Sequence, residues 1–278
     1  MSMDIVTSVT ALRERLQREP NNVFVPTMGN LHEGHINLIR IAKPTAACTV
    51  VSIFVNRLQF GPQEDFERYP RTFQSDCDKL RSSGVDVVFA PDEKEIYPEP
   101  QTFVVEPSDL QHILDGAFRP GHFCGVATVV LKLFNMVMPH AAIFGKKDYQ
   151  QYLVLRDMVR QLALPVEIIP AETVRAADGL ALSSRNGYLA AAERAEAPRL
   201  YALLREARER IAKGESNFQR IELEAMTLLA QNGWTPQYIA VRRRADLQAP
   251  APEERELVVL AAAYLGKTRL IDNIEVTR

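Results

Sequence analysis

Val23-Phe24-Val25-Pro26-Thr27-Met28-Gly29-Asn30-Leu31-His32-Glu33-Gly34-His35 runs directly into Ile36-Asn37-Leu38-Ile39-Arg40-Ile41-Ala42-Lys43. The apolar run at 23–25 reads as a strand. The apolar residues at 36, 38, 39, 41 and 42 read as a largely buried helix. Two histidines three apart, separated by a glycine, therefore sit on a strand-to-helix turn. Unsatisfied backbone N–H groups and the positive end of the helix dipole gather at such a turn, which makes it an anion site. Imidazoles there can donate to phosphate oxygens where small residues allow close approach. A zinc pair fits less well, because a metalloprotease needs His-Glu-x-x-His with its histidines four apart on one helix face. A plain helix cap with incidental histidines is the remaining structural alternative.

Around this turn, strand-like runs alternate with helix-like segments. The strands are expected at Asn22–Pro26, Cys48–Val55, Val85–Ala90, Ala141–Phe144 and Val166–Pro170. Helices are expected near 35–43, 72–83, 126–137 and 149–162. The strands are dense in Val, Ile and Phe without in/out alternation, as when both faces are covered. The pattern predicts an α/β fold, a Rossmann-like parallel sheet flanked by helices. In such sheets ligands bind beyond the carboxyl ends of the strands, the end at which the histidine turn lies.

After about residue 173 the texture changes, and the chain is read as two domains, 1–173 and 174–278. Charged helical patterns near 191–213 and 217–231 precede strands at Gln237–Arg242, Leu257–Ala263 and Arg269–Ile274, which predicts a smaller α+β C-terminal domain. Ala249-Pro250-Ala251-Pro252 reads as a surface loop between two of these strands. Arg242-Arg243-Arg244 offers charge to phosphates, but a solvated strand end is the simpler reading.

The 278 residues, 46% apolar and 24% charged with a net charge of −2, are those of an ordinary globular protein. Neither half has the basic bias that a nucleic-acid backbone calls for, so no nucleic-acid partner is expected. Cys48, Cys77 and Cys124 form no Cys-x-x-Cys pair, which suits a reducing compartment and gives no zinc cage. The stretch Met1–Thr10 has Asp4 and no long apolar core, so it is not read as a secretion signal. The longest apolar run, Leu257–Leu265, is far short of the roughly 20 residues that span a bilayer. A cytoplasmic location away from membranes is the default expectation.

Four further stretches carry polar chemistry. Phe144-Gly145-Lys146-Lys147-Asp148-Tyr149-Gln150-Gln151 leaves a strand and opens a helix, where a lysine can meet a phosphate. It is no Walker A loop, since no Gly lies five before Gly145 and neither Lys is followed by Ser or Thr. Asp178-Gly179-Leu180-Ala181-Leu182-Ser183-Ser184-Arg185-Asn186 offers two hydroxyls and a guanidinium, or else is an ordinary capped turn. Phe54-Val55-Asn56-Arg57-Leu58-Gln59-Phe60-Gly61 ends a strand with neutral polar groups able to orient a carboxylate or hydroxyl. Arg119-Pro120-Gly121-His122-Phe123 is either another cleft wall or the seat of a buried, hydrogen-bonded histidine. His112 and His140 are read as structural or surface residues.

As an ordered set these stretches, with Thr268-Arg269-Leu270-Ile271-Asp272-Asn273, resemble the pantoate–β-alanine ligase family. Its members belong to the nucleotidyltransferase superfamily with the His-x-Gly-His signature. The resemblance spans almost the whole chain. It implies ATP-dependent joining of pantoate to β-alanine through a pantoyl adenylate, with release of AMP and pyrophosphate. Magnesium is implied too, held mainly by the ATP phosphates with no protein ligand named, as is a homodimer. Carried over residue by residue, Met28, Gly29, Asn30, Leu31, His32, Glu33, Gly34 and His35 form the ATP turn. His35 would be the proton donor, and His32 would assist. Gly145, Lys146, Lys147, Asp148 and Val174 would cradle the nucleotide, with Lys147 reaching its phosphates as the third catalytic group. Leu182, Ser183, Ser184 and Arg185 would close over the triphosphate, giving 174–278 the character of a lid. Gln59 and Gln151 would bracket pantoate, Gln59 serving the β-alanine step as well.

The chain departs from the family pattern at Lys146, commonly Glu, and at Arg57-Leu58, commonly Pro-Met. The first changes charge beside the nucleotide and the second changes how the pantoate loop is held. Two rivals stand beside the ligase: another small-molecule adenylyl- or cytidylyltransferase, which would retain the nucleotide in its product, and a non-catalytic nucleotide-binding regulator. The pantoate glutamines and the long second domain weigh against the first. The full set of His32, His35, Lys147, Ser183, Ser184 and Arg185 weighs against the second.

Overall fold

The computed structural model describes residues 3–278 apart from Pro20, Gln63 and Ser108, so the first two residues of the N-terminal stretch lie outside it. In chain order the first elements are β1 (Asp4–Val6), α1 (Val9–Leu16), β2 (Asn22–Thr27), α2 (Glu33–Ala42), β3 (Cys48–Ile53), α3 (Phe73–Ser82) and β4 (Val87–Phe89). They continue with α4 (Glu93–Ile96), α5 (Asp115–Phe118), α6 (His122–Val137), β5 (Ala141–Gly145), α7 (Tyr149–Gln161) and β6 (Glu167–Ala171). The rest are α8 (Ala191–Glu196), α9 (Arg199–Ala212), α10 (Phe218–Gln231), β7 (Trp234–Arg243), β8 (Glu256–Leu265) and β9 (Thr268–Thr277). The chain divides into two compact units, Met1–Lys146 with Val154–Glu172, and Lys147–Leu153 with Thr173–Arg278.

In the first unit six strands form one parallel sheet in the order β1-β4-β3-β2-β5-β6. Each face of β2 is covered by a different helix. Val23 and Val25 pack with Ile36 and Ile39 of α2. Phe24 meets Phe134 of α6 edge-on, with ring centroids 6.4 Å apart. That double burial is why the strands read as unbroken apolar runs. The order reverses between β2 and β5, the switch point where open α/β sheets bind ligands. Those two strands pair at Val23↔Ala141 and Phe24↔Ala142. Farther along β2, Pro26 has no N–H to contribute to a ladder, and the chain then leaves the sheet for the histidine turn.

The parallel sheet matches the expectation from sequence, with one strand more. β1 is only three residues long, and such a short edge strand carries no readable periodicity. The helix expected over 126–137 begins four residues earlier, at His122, after Gly121 in a left-handed conformation with φ 80°.

The second unit is built on the antiparallel sheet β7-β8-β9. Leu200, Leu204, Ala207 and Ile211 of α9 and Ile221, Ala225 and Leu229 of α10 pack against Val241, Leu257, Val259 and Ile274. The helix expected over 191–213 is two helices. Pro198 at their junction has no N–H for an intrahelical bond, and α9 starts immediately after it. Ala249–Pro252 lies in the β7–β8 loop. The arginine run is paired off: Arg242 with Glu222, Arg243 with Asp246, and Arg244 with Glu256.

Within the first unit, Gly125 lets α6 approach the turn Arg57–Gln59 at backbone distance. A Cβ at Gly125 would lie 2.1 Å from the Leu58 carbonyl oxygen. Alanine is worth up to about 1 kcal/mol over glycine inside a helix, but this clash is with backbone and cannot be relieved by a rotamer change. Gly125→Ala is therefore expected to destabilise the fold by about 1–3 kcal/mol in urea unfolding. A neutral or stabilising effect would contradict the close approach.

Candidate active site

The turn at the switch point is held from behind by α3. Gly29 (φ 82°) and Asn30 (φ 50°) are consecutive left-handed residues. The conformation is routine for glycine and tolerable for asparagine. It turns two successive N–H groups toward fully buried Asp76: Asn30 donates to Oδ2 at 2.9 Å and Leu31 to Oδ1 at 2.8 Å. Thr72 adds its hydroxyl to Oδ2 at 3.0 Å. One helical turn on, the Lys79 ammonium donates to the Leu31 carbonyl at 2.6 Å. A Cβ on Gly29 would sit a tight 3.2 Å from both Asp76 Oδ2 and Ile53, and the positive φ further disfavours a side chain there. Leu31 itself is buried in the core, so it shapes the turn from beneath.

The turn delivers both histidines to the mouth of α2 with defined polarity. His32 is the N-cap, and its Nδ1 accepts from the Gly34 N–H at 3.1 Å. His35 reaches back, and its Nδ1 accepts from the His32 N–H at 3.2 Å. The rings lie 4.1 Å apart, centroid to centroid. A backbone N–H can only donate, so both Nδ1 atoms are unprotonated and each neutral ring carries its proton on Nε2. The structure thus gives two Nε2–H donors at the positive end of a helix. Glu33 faces outward and pairs with Arg40 at 3.2 Å.

Gln59 is fixed with equal definition. The Leu58 N–H donates to Asn56 Oδ1, and Asn56 Nδ2 donates to Gly125 O and to Gln59 Oε1, at 3.3, 3.2 and 3.1 Å. Tyr97 adds its hydroxyl to Asn56 Oδ1 at 2.8 Å. Because the first donor is backbone, the amide polarity propagates outward, and Gln59 Nε2 is left pointing at Met28 Sδ, 3.2 Å away. The structure therefore brings Gln59 beside Met28 at the start of the histidine turn, presenting a donor. Behind it, His122 Nδ1 contacts the Gln59 carbonyl at 2.8 Å, and Nε2 meets Arg119 at 2.8 Å. Arg119 grips both oxygens of Glu64 at 2.6 and 2.7 Å. Burial raises the Glu64 pKa, but the Arg119 hydrogen bonds outweigh it and hold the carboxyl below its usual range. His122 is the buried, hydrogen-bonded histidine of the two sequence alternatives. Burial, then the Arg119 charge, push its pKa down to about 4.

Gly145 closes β5 beside α2. A Cβ there would touch only Leu38, at 4.0 Å. Among the described residues no side-chain clash requires glycine at this point. Lys146 pairs with Glu172 at 2.6 Å, so the charge that departs from the family pattern is largely answered within the same unit. Arg57, the other departure, pairs with Glu67 and Glu93 and lies 4.0 Å over the Phe66 ring.

The second unit holds the other residues. Lys147 stands in a short 3-10 turn before α7, its Nζ 3.6 Å from Asp148 and its carbonyl accepting from Asn273 at 2.9 Å. Neighbouring Asp272 is almost fully buried and held by both terminal nitrogens of Arg175 at 2.6 and 2.9 Å. Burial raises its pKa and the Arg175 pairing opposes that rise. Arg175 also stacks on Tyr201 at 3.6 Å. Arg175 and Ala181 pair in a small hairpin that Leu182 N closes on Val174 O at 3.0 Å. Ser183 caps the following 3-10 turn, Ser184–Tyr188, by accepting from the Arg185 N–H at 3.2 Å. Gln151 lies half-buried in the first turn of α7. Sequence reading gave no role to Asp76, Lys79, Arg175 or Asp272. Thr72, Asp76 and Lys79 do share one helix face, a polar stripe on a half-buried helix that was the available signal.

Comparison with known proteins is consistent along the whole chain. The family model described as Pantoate-beta-alanine ligase matches residues 4–275. A pantothenate synthetase of Nitrosospira multiformis is 55% identical over 275 residues, covering 99% of each chain. The crystal structure of pantothenate synthetase from Thermus thermophilus superposes with a TM-score of 0.94 at 44% identity, covering 99% of this chain and 100% of that one. A pantoate-β-alanine ligase from Francisella tularensis, solved as a complex with β-γ ATP and β-alanine, gives 0.84 at 35% identity, covering 98% and 97%.

Two outcomes are expected from this geometry. Asp76→Asn keeps the shape but replaces one acceptor with a donor facing a backbone N–H. It should cost roughly 2–3 kcal/mol or more in urea unfolding, the scale of a buried charged hydrogen bond lost with a partner left unpaired. An unchanged midpoint would remove Asp76 from its role. His122, with its pKa depressed from 6.5 to about 4, binds a proton in the unfolded chain before it does in the folded one. Its stabilising contribution is complete above pH 6.5 and is lost as pH falls toward 4. Between pH 7 and 4.5 the parent should therefore lose about 2 kcal/mol more stability than His122→Asn. Equal losses would contradict the assignment.

Proposed function

The chain belongs to the pantoate–β-alanine ligase family, and on that premise we propose that it makes pantothenate from pantoate, β-alanine and ATP through a pantoyl adenylate. In the first step a pantoate carboxylate oxygen attacks the α-phosphorus, and the bond to the bridging oxygen of pyrophosphate breaks. In the second step the deprotonated β-alanine amine attacks the acyl carbon, a C–N bond forms, and AMP leaves with the electron pair. Activation is needed because a carboxylate resists amines, whereas AMP departs readily.

The protein has two tasks, holding the reactants in line and stabilising charge that grows on phosphate oxygens. The observation that carries the proposal is the pair of Nε2–H donors fixed at the α2 N-terminus, at the switch point of a parallel sheet. Donors set in advance by the backbone do not have to reorganise during the reaction, which is where electrostatic catalysis gains most. His35 acts as the proton donor to the phosphates and His32 assists it. Gln59 offers its Nε2 donor to the pantoate carboxylate or hydroxyl, Gln151 holds the other side of pantoate, and Lys147 reaches the phosphates. Met28 to His35, Gly145 to Asp148, Val174 and Leu182 to Arg185 are proposed to contact ATP. Residues 1–173 act as the nucleotide- and pantoate-binding domain, and 174–278 supply the hydroxyl and guanidinium loop.

Magnesium is proposed to accompany ATP, held mainly by its phosphate oxygens, on the strength of the family resemblance. Bound there, it would neutralise phosphate charge. Among the described residues no helix is long and apolar enough to cross a membrane. A cytoplasmic homodimer belongs to the same proposal, supported by the family resemblance.

Two measurements test this reading. ATP, pantoate and β-alanine incubated with the protein should yield AMP and pantothenate, with AMP dependent on the organic substrates. A stable nucleotide-bearing product would contradict it. His35→Ala should remain folded and lower pyrophosphate release by roughly 10²-fold or more, and near-normal release would exclude His35 from the chemistry.

A further inference from the structure

The turn that carries Gln59 is a single 3-10 turn, Arg57–Gln59. Its own 3-10 bonds reach only Asn56 O, from the Gln59 N–H at 3.4 Å, and Arg57 O, from the Phe60 N–H at 3.1 Å, so they do not hold the carbonyls of Leu58 and Gln59. The turn is seated instead on α6, at three points within one turn of that helix. Asn56 Nδ2 donates to the Gly125 carbonyl at 3.2 Å. The Leu58 carbonyl lies against the Cα of Gly125. His122 meets the Gln59 carbonyl at 2.8 Å.

We propose that His122 is a positioning residue for the acid substrate. Its imidazole, braced by Arg119 and Glu64, holds the Gln59 carbonyl so that the Gln59 amide meets pantoate in one orientation. This rests on the reading of Gln59 as a pantoate-binding group. Polarity leaves one arrangement. A guanidinium has no acceptor, so His122 Nε2 accepts from Arg119, and the ring proton lies on Nδ1, donating to the Gln59 carbonyl. Glu64 fixes Arg119 through a two-point carboxylate pair, the geometry that best restricts a guanidinium. Glu64 follows Gln59 by five residues, so the relay Glu64–Arg119–His122–Gln59 ties both ends of that segment to the start of α6. A rigid ring with a donor on one side and an acceptor on the other spans this distance with few torsions. The relay backs the main chain of Gln59, while Asn56 sets its side chain, so the two constraints are independent.

The test is steady-state pyrophosphate release by the full-length protein, varying pantoate at saturating ATP and then ATP at saturating pantoate. His122→Ala should raise the KM for pantoate by about tenfold or more, the loss expected for one buried donor, while the KM for ATP stays within about twofold. His122→Asn, whose amide can place a donor near the position of Nδ1, should recover most of the difference. An unchanged pantoate KM, equal rises in both KM values, or an Asn variant no better than Ala would overturn the proposal. Should His122→Ala not fold, Glu64→Gln is the second variant: it should shift the pantoate KM in the same direction by less, and no shift would count as refutation. Gln59→Ala is measured alongside. A normal pantoate KM there would sink the reading of Gln59 and the relay with it, whereas a shift in Gln59→Ala without one in His122→Ala would overturn the relay alone.

Discussion

A carboxylate sealed under a left-handed turn governs this molecule. Asp76 accepts from the backbone of Asn30 and Leu31 across 46 and 45 residues of sequence, and so ties the turn to α3. Left alone, Asn30 at positive φ carries a cost that Gly29 does not, and such a conformation persists where the surroundings over-determine it. Asp76, Thr72 and Lys79 supply that determination. The turn in turn decides where α2 begins, hence which N–H groups the two imidazoles meet, hence which ring nitrogen carries each proton. A contact with no direct part in the reaction thereby sets the polarity of the groups proposed to perform it.

The same logic recurs at other candidate side chains. Gln59 takes its orientation from the Leu58 N–H by way of Asn56. His122 takes its tautomer from Arg119. In the second unit, the main chain at Lys147 is held by Asn273, next to a buried Asp272–Arg175 pair. Groups able to donate or accept are each made single-valued by a neighbour that can do only one. Such networks are sensitive to partial loss, because an unsatisfied buried member costs more than the bond it replaces.

Much of this was open to inspection in the sequence, for reasons that differ by element. The parallel sheet was legible because β2, β3 and β5 are buried on both faces and so are apolar throughout. The histidine turn was legible because a strand, a glycine-rich corner and a helix start coincide within thirteen residues. β1 was not, since three residues at a sheet edge have no period to read. The break at Pro198 was visible as a residue but lay inside an otherwise continuous charged pattern. The polar stripe holding Asp76 and the stretch holding His122 were visible, but what these residues bind was beyond reach for a deeper reason. Their partners lie tens of residues away, and no local pattern records which backbone N–H a buried carboxylate will meet. The two departures from the family pattern likewise acquire meaning only in three dimensions: Lys146 faces Glu172, and Arg57 finds Glu67, Glu93 and the ring of Phe66.

Nitrogen-15 NMR of the histidine side chains, recorded at a pH where the rings are neutral, addresses the core of this account most directly. Both His32 and His35 should show an unprotonated Nδ1 and a protonated Nε2, because a backbone N–H occupies each Nδ1. A proton on Nδ1 of either ring would mean that the turn does not set the donors as described, and the electrostatic case for an anion at the mouth of α2 would fall with it.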